Sequence, residues 1–401
     1  MQRKLDLRTG RTVWQAYRAP AVPTQALLRD IKTDVLVIGM GISGAMLAEA
    51  LTAEGREVTL IDRRGPVLGS TPATTALVQF EIDQPLTTLA KKIGGDRAIR
   101  AWRRSRIAVC NLAEAIDCLG IDCQSVRRSS LYLAGNLLGP DELRREAEAR
   151  RGAGLGATYL TRRELLASFG IARAGAILSH GNLALDPRRL AAGLLLRALG
   201  RKARLYAKVE AAGLSHGRDA VTVTTKNGPT ITARHVVLAT GYELMDGVPA
   251  DRHQVISTWA MATRPQKRAL WPGEAHVWEA SDPYLYMRTT PDGRVIAGGE
   301  DEEFSDETRR DAQLGAKTRR VAAKLKTLFP RLDTEPAFAW AGSFGTTSTG
   351  LPIIGALPRR PRILAVMGYG GNGITFSRIA AELVASAIGG REDSDADLFA
   401  F

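Results

Sequence analysis

Two short glycine-rich segments carry residue types whose spacing implies chemistry. The first is Gly39-Met40-Gly41-Ile42-Ser43-Gly44, a G-x-G-x-x-G arrangement, with an acid, Asp62, about 20 residues further on. Gly39 permits a tight turn, Gly41 lets the backbone approach a pyrophosphate, and Gly44 brings a helix against a strand. The helix N-terminus then faces phosphate charge, and Asp62 can accept both hydroxyls of a ribose. Arg63 beside it suits an adenine edge, a 2′-phosphate or the surface. The second segment, Gly368-Tyr369-Gly370-Gly371-Asn372-Gly373, repeats the spacing near the end of the chain. Only one helix follows it, so no later strand supplies a ribose-binding acid. It reads instead as a helix N-terminus aimed at a group that gains negative charge, such as the N1/O2 edge of a reduced flavin.

The elements that position these loops follow from apolar patterning. Asp34-Val-Leu-Val-Ile38 is a nearly continuous apolar run, as in a buried parallel strand. A helix over 44–54 stops at Gly55, and Val58–Ile61 is a second strand, completing a β-α-β unit. Further along, the pattern predicts a long helix over Asp96–Leu119, a strand at Ser130–Ala134 and a helix over Pro140–Arg151. Asp186-Pro187 opens another helix as N-cap and first turn. Strands fall at Val221–Thr225 and Thr232–Leu238, and residues 284–299 read as a hairpin turning at Pro291-Asp292-Gly293. One charged helix is expected over Asp306–Leu328, then a buried strand at Arg362–Met367 and a helix to about Ile388. The acidic tail Arg391–Phe401 reads as loose.

With 401 residues, 45% of them hydrophobic, the chain can bury a core without disulfides or metals, and two or three domains fit. Lys and Arg exceed Asp and Glu by 13. They are spread along the chain, so solvated helix faces account for them better than a nucleic-acid partner does. Cys118 and Cys123 have a C-x4-C spacing found in some redox disulfides, but their context suits inert thiols. His180, His216, His235, His253 and His276 show no metal spacing, so no metal is expected. The N-terminal 30 residues hold no apolar signal core, and Arg197 interrupts the best apolar run, Leu190–Leu199. A cytoplasmic protein with no membrane span is the expectation.

The sequence resembles the flavin-dependent D-amino acid oxidase-like family, which includes glycine, sarcosine and γ-glutamylputrescine oxidases, over about residues 34–388. Four pieces carry the resemblance. They are 34–44 with Ile61-Asp62-Arg63, the small-residue loop Gly69–Gln79, His235–Gly241, and Trp340–Pro352 with Gly368–Thr375. The resemblance implies an α/β fold (α+β overall), in which a Rossmann-like FAD-binding domain is interleaved with a mixed-sheet substrate domain. The expected cofactor domain takes 30–95, 185–250 and 335–390, and the substrate domain takes 96–184 and 251–334. FAD contacts are implied for Gly39, Gly41, Ile42, Ser43, Gly44, Asp62 and Arg63, and for Ser70, Thr71, Thr75, Ala76 and Leu77. They are also implied for Val209, Ala239, Thr240, Gly241 and Gly342, and for Gly371, Asn372, Gly373, Ile374 and Thr375.

The implied activity is oxidation of the C–N bond of an amine or amino acid by hydride transfer to flavin N5. The imine is then hydrolysed, and O2 or another acceptor reoxidises the flavin. No catalytic acid or base is implied. Residues 70–79 contain neither His nor Cys, so FAD is expected to be non-covalent. Arg288 is the candidate for a substrate carboxylate, with Tyr284 and Tyr286 on the same strand face. The alternatives are an NAD(P)-dependent reductase using the first fingerprint, or a flavoprotein with a nucleic-acid-binding role.

Overall fold

Val35, Leu36 and Val37 are fully shielded from solvent, because the strand Ile31–Ile38 lies in the middle of a sheet with helices against it. The computed structural model describes residues 5–226 and 228–401. Strand Ile31–Ile38 pairs in parallel with Val58–Asp62 on one side and Ile231–Leu238 on the other. Arg204–Ala207 and Arg360–Met367 extend the parallel ladder, and Ile353–Leu357 closes one edge antiparallel. Ala211–His216 and Val221–Thr225 add an antiparallel flap to Ile231–Leu238, which makes eight strands.

Helix Ile42–Ala53 packs between Pro187–Gly200 and Gly373–Ile388. It is buried on almost every side, which explains why Glu49 is its only charged residue. Asp186 caps Pro187–Gly200, accepting from the amides of Arg188 and Arg189 at 2.8 and 3.1 Å.

A second sheet of ten strands runs from Arg8–Arg11 through Phe338–Thr346, Gln254–Ala262, Val295–Glu302, Leu285–Thr289 and His276–Glu279. It continues through Val126–Leu133, Gly175–Ala184 and Leu77–Val78, with Ala157–Thr161 paired to Gly175–Ala184. Helix Leu314–Leu328 lies on this sheet.

Four expectations need correction. Phe338–Thr346 falls inside the expected cofactor stretch 335–390, yet it pairs along its whole length with Gln254–Ala262 in the second sheet. Helix Gly95–Leu119, expected in the substrate domain, packs along Gly373–Ile388, where Arg104 and Asn111 both reach Glu382. The single helix over Asp306–Leu328 is two, Glu307–Ala312 and Leu314–Leu328, meeting at Gln313. The acidic tail is docked rather than loose. Phe399 is buried, its carbonyl accepts from the Ile354 amide, and Asp393, Asp395 and Asp397 pair with Arg97, Arg100 and Arg104. The three cysteines are free, and burial pushes the Cys123 thiol up to about 12, which keeps it protonated.

Candidate active site

The first glycine loop has the backbone that its spacing implies. Gly39 sits at φ +119°, and a Cβ there would lie 2.2 Å from the Ala239 carbonyl oxygen. A Cβ on Gly44 would lie 1.9 Å from the Gly39 carbonyl oxygen, so only glycine lets helix and strand approach this closely. Gly41 differs: a Cβ there would meet only the Thr71 hydroxyl, at 3.2 Å. Its free side faces a large cleft. Gly41 is the helix N-cap and has no side chain to cap with, which leaves first-turn amides available to an anion. The Ile42 amide donates to Thr71 Oγ1 at 3.0 Å and ties the loop to the Gly69–Gln79 segment.

Asp62 ends its strand beside this loop. Its Oδ2 accepts from the Met40 amide at 2.8 Å, and its Oδ1 accepts from Arg64 and Gly65 at 2.7 and 2.8 Å. Oδ1 already accepts two bonds, and Oδ2 keeps one lone-pair direction, which a ribose hydroxyl can take. Arg63 and Arg64 both pair with Glu243. Burial disfavours the Glu243 charge, but the two guanidiniums override it and hold the carboxyl below its usual range.

The cleft encloses about 2040 Å³, its open mouth included, and passes between the two sheets. Most of the expected cofactor residues line it, from Gly39, Asp62 and Arg63 through Ser70, Thr75, Leu77 and Val209 to Gly342 and Gly371–Ile374. Gly44, Ala76 and Thr375 do not. Gly44 is packing, and Ala76 is buried in a left-handed turn at φ +56°. Thr375 turns its hydroxyl onto the Gln79 carbonyl at 2.7 Å. With the amide of Asn372, which donates to the Glu81 carbonyl at 2.8 Å, it fastens the last helix to residues 79–81.

The end of the cleft away from Asp62 is walled by aromatic and polar groups. Trp278 stacks on Tyr132 with centroids 3.8 Å apart, and Tyr284 and Tyr286 lie 5.6 Å apart. Tyr284 donates its phenol to Asp301 Oδ2 at 2.6 Å. Burial drives Tyr284 well above its usual range and lifts Asp301 to about 6. Asp83 Oδ2 accepts from the Gly371 amide at 2.8 Å. Asp83 is exposed within the open cleft, which moderates the upward push that its enclosing walls give its pKa against the pull of that amide. Asp83, Trp278, Thr258 and Phe344 line the cleft without having been singled out in the sequence. No local pattern marks them, because each belongs to a different segment.

Tyr284 and Tyr286 stand where strand parity puts them, on the cleft wall. Arg288 does not. It is buried beyond the cleft, with Nε donating to the Thr75 carbonyl and Nη2 to the Leu185 carbonyl, both at 2.8 Å. Its guanidinium lies over the Trp14 ring at 5.1 Å. Burial pulls its pKa down to about 9. Arg288 therefore braces the back of the loop that carries Thr75 and is not presented to a substrate.

A dinucleotide cradle at the edge of a parallel sheet, opening into a cleft covered by a second sheet, defines an oxidoreductase built around a bound nucleotide cofactor. Residues 34–387 match the family model described as FAD dependent oxidoreductase, and the chain belongs to that family. It is 26% identical over 385 residues to γ-glutamylputrescine oxidoreductase of Escherichia coli (strain K12), spanning 92% of this chain and 86% of that protein. Among solved structures it is similar to glycine oxidase from Geobacillus kaustophilus, with a TM-score of 0.74 and 22% identity. That match covers 90% of this chain and 96% of that one. L-proline dehydrogenase from P. horikoshii aligns with a TM-score of 0.77 and 20% identity, covering 93% and 97%. FAD is the cofactor that the family binds, and the open face of Gly41 with the Asp62 carboxylate fits its pyrophosphate and ribose. Among the described residues no helix is long and apolar enough to cross a membrane.

Proposed function

We propose that the protein oxidises the carbon–nitrogen bond of a small amine or amino acid. The observation that carries this reading is the aromatic chamber where the second sheet covers the cleft, beside the Gly368–Gly373 loop. FAD, when bound, supplies an acceptor for a hydride from the carbon next to nitrogen.

The chain's own residues position and shield the substrate. Tyr284, whose proton is committed to Asp301, keeps oxygen lone pairs for a substrate N–H. Trp278 and Tyr286 exclude water from one side and orient the reacting carbon, and alignment of this kind supplies much of the rate. The imine leaving the chamber takes up water and yields a carbonyl compound and the freed amine. Cofactor attachment is non-covalent in this reading, since residues 70–79 offer no His or Cys.

The purified protein should be yellow, and acid precipitation should release its flavin to the supernatant. Anaerobic mixing with a panel of amines and amino acids tests the activity. Bleaching of the flavin by at least one member is the expected result. A flavin that dithionite bleaches and no panel member does would overturn the reading.

A further inference from the structure

We propose that the substrate is an amine with no carboxylate next to its nitrogen, bound as its cation by Asp83 against Trp278, Tyr284 and Tyr286 and passing one proton to Asp83 before the hydride leaves its carbon. This rests on the amine-oxidation reading and narrows it.

The charge inventory of the cleft carries the inference. Among the described residues that line it, the cationic side chains are Arg63 and Arg64. Both stand at the Asp62 end, and both are committed to Glu243. Among the described residues, the chamber end offers no cation. Arg288, the guanidinium on the neighbouring strand, is turned onto the carbonyls of Thr75 and Leu185. Lys317, whose charge reaches Asp301, donates to the Glu300 carbonyl and pairs with Glu302 at 2.7 Å. A carboxylate brought into the chamber would lose its water without gaining a cation, and would face Asp83.

The same wall suits a cation. Asp83 opens onto the cleft, and its Oδ1 has no hydrogen-bond partner among the described residues, while Oδ2 is anchored by the Gly371 amide. Asp83, Tyr284 and Tyr286 all line the same cleft. Aromatic faces attract ammonium groups, most strongly where water is excluded. A glycine opposite makes room for the Tyr286 ring: a Cβ on Gly298 would lie 2.3 Å from its phenol oxygen.

The test uses the FAD-loaded protein at constant ionic strength. Tetramethylammonium, which cannot be oxidised in this way, is titrated while the flavin absorption band is followed. Wild type should show a saturable spectral change. Asp83→Asn keeps an acceptor for the Gly371 amide, so it should retain FAD while binding tetramethylammonium at least 10-fold more weakly. In parallel, butylamine and N-methylbutylamine should reduce the flavin anaerobically, and norvaline, which adds only the carboxylate, should not. Equal affinity in wild type and Asp83→Asn, or no binding at all, overturns the inference. Reduction by norvaline but not by the amines also overturns it and leaves C–N oxidation standing. If the broad panel of amines and amino acids fails to reduce the flavin, the parent reading falls, and with it the inference that rests on it.

Discussion

Alanine at Gly41 and alanine at Gly44 are the same chemical change three residues apart, yet they should fail in different ways. At Gly44 the new Cβ would lie 1.9 Å from the Gly39 carbonyl oxygen, against about 3.4 Å for an ordinary contact. Backbone must therefore separate by 3.4 − 1.9 = 1.5 Å, as much as the rise of one helical residue. Such a shift slides helix Ile42–Ala53 off a core that includes Met46, Leu47 and Leu51. Overpacking typically costs about 1–3 kcal/mol, and a rigid backbone collision belongs at or above the top of that range. At Gly41 the Cβ meets only the Thr71 hydroxyl, at 3.2 Å, so a shift of about 0.2 Å relieves it. The FAD-free Gly41→Ala protein should melt within about 1 °C of FAD-free wild type. It should nevertheless bind FAD at least 100-fold more weakly, about 2.7 kcal/mol, because the methyl group takes the space the pyrophosphate needs. FAD-free Gly44→Ala should melt several degrees lower. Thermal unfolding of the FAD-free proteins and titration of FAD fluorescence measure both quantities. Wild-type FAD affinity in Gly41→Ala would refute the assignment of this loop as the phosphate cradle. Equal melting temperatures for the two variants would refute the packing argument.

Arg288→Met orphans the carbonyls of Thr75 and Leu185, at about 1–3 kcal/mol each, partly offset by removing a buried charge. It should lower thermal stability and FAD retention and leave the substrate KM of the remaining holoenzyme within about 3-fold. A sharp rise in KM with unchanged FAD content would restore Arg288 as a substrate ligand. Asp301 titrates near 6 in the fold against 3.8 unperturbed, so its stabilising influence is full below pH 4 and is lost as pH rises through 6. The melting temperature of Asp301→Asn should therefore gain on wild type between pH 4 and pH 7, and parallel curves would contradict the shift. Phe399→Ala should destabilise the protein by about 3 kcal/mol through its buried ring. Arg97→Ala, which removes a half-exposed ion pair, should change stability by less than 1 kcal/mol on denaturant titration.

What could be read from sequence follows from the range over which each signal acts. The Gly39–Gly44 loop and Asp62 are legible because backbone geometry over a few residues dictates their types. The hairpin at Pro291-Gly293 is legible for the same reason: Gly293 sits at φ +90° and its amide donates to the Thr290 carbonyl. Strand parity correctly puts Tyr284, Tyr286 and Arg288 on one face, but it cannot say where along the strand the cleft ends. The wall stops at Tyr286, and Arg288 enters the packing behind it. Asp83 meets Gly371 across 288 residues, and the tail's acids meet arginines nearly 300 residues away. A tail read beside its own neighbours looks solvated, because its partners lie on a distant helix. Phe338–Thr346 was misplaced for the related reason that a glycine-rich strand between two cofactor segments belongs, by pairing, to the other sheet.

The interleaving of the two sheets also fixes when the cofactor site comes into being. Strand Ile31–Ile38 is made early, but its second neighbour, Ile231–Leu238, arrives only after half of the second sheet's strands have been made. The helix that closes the cleft, Gly373–Ile388, comes later still, and Arg8–Arg11 waits for Phe338–Thr346. A growing chain therefore carries an apolar strand with one open edge through much of its synthesis, a period of exposure to aggregation. The Gly39–Gly44 loop and Asp62 are made early, but the cleft is complete only once Gly371–Ile374 have followed. Bound to the completed cleft, FAD would stabilise the finished fold by mass action, so the supply of cofactor would set part of the stability of the protein.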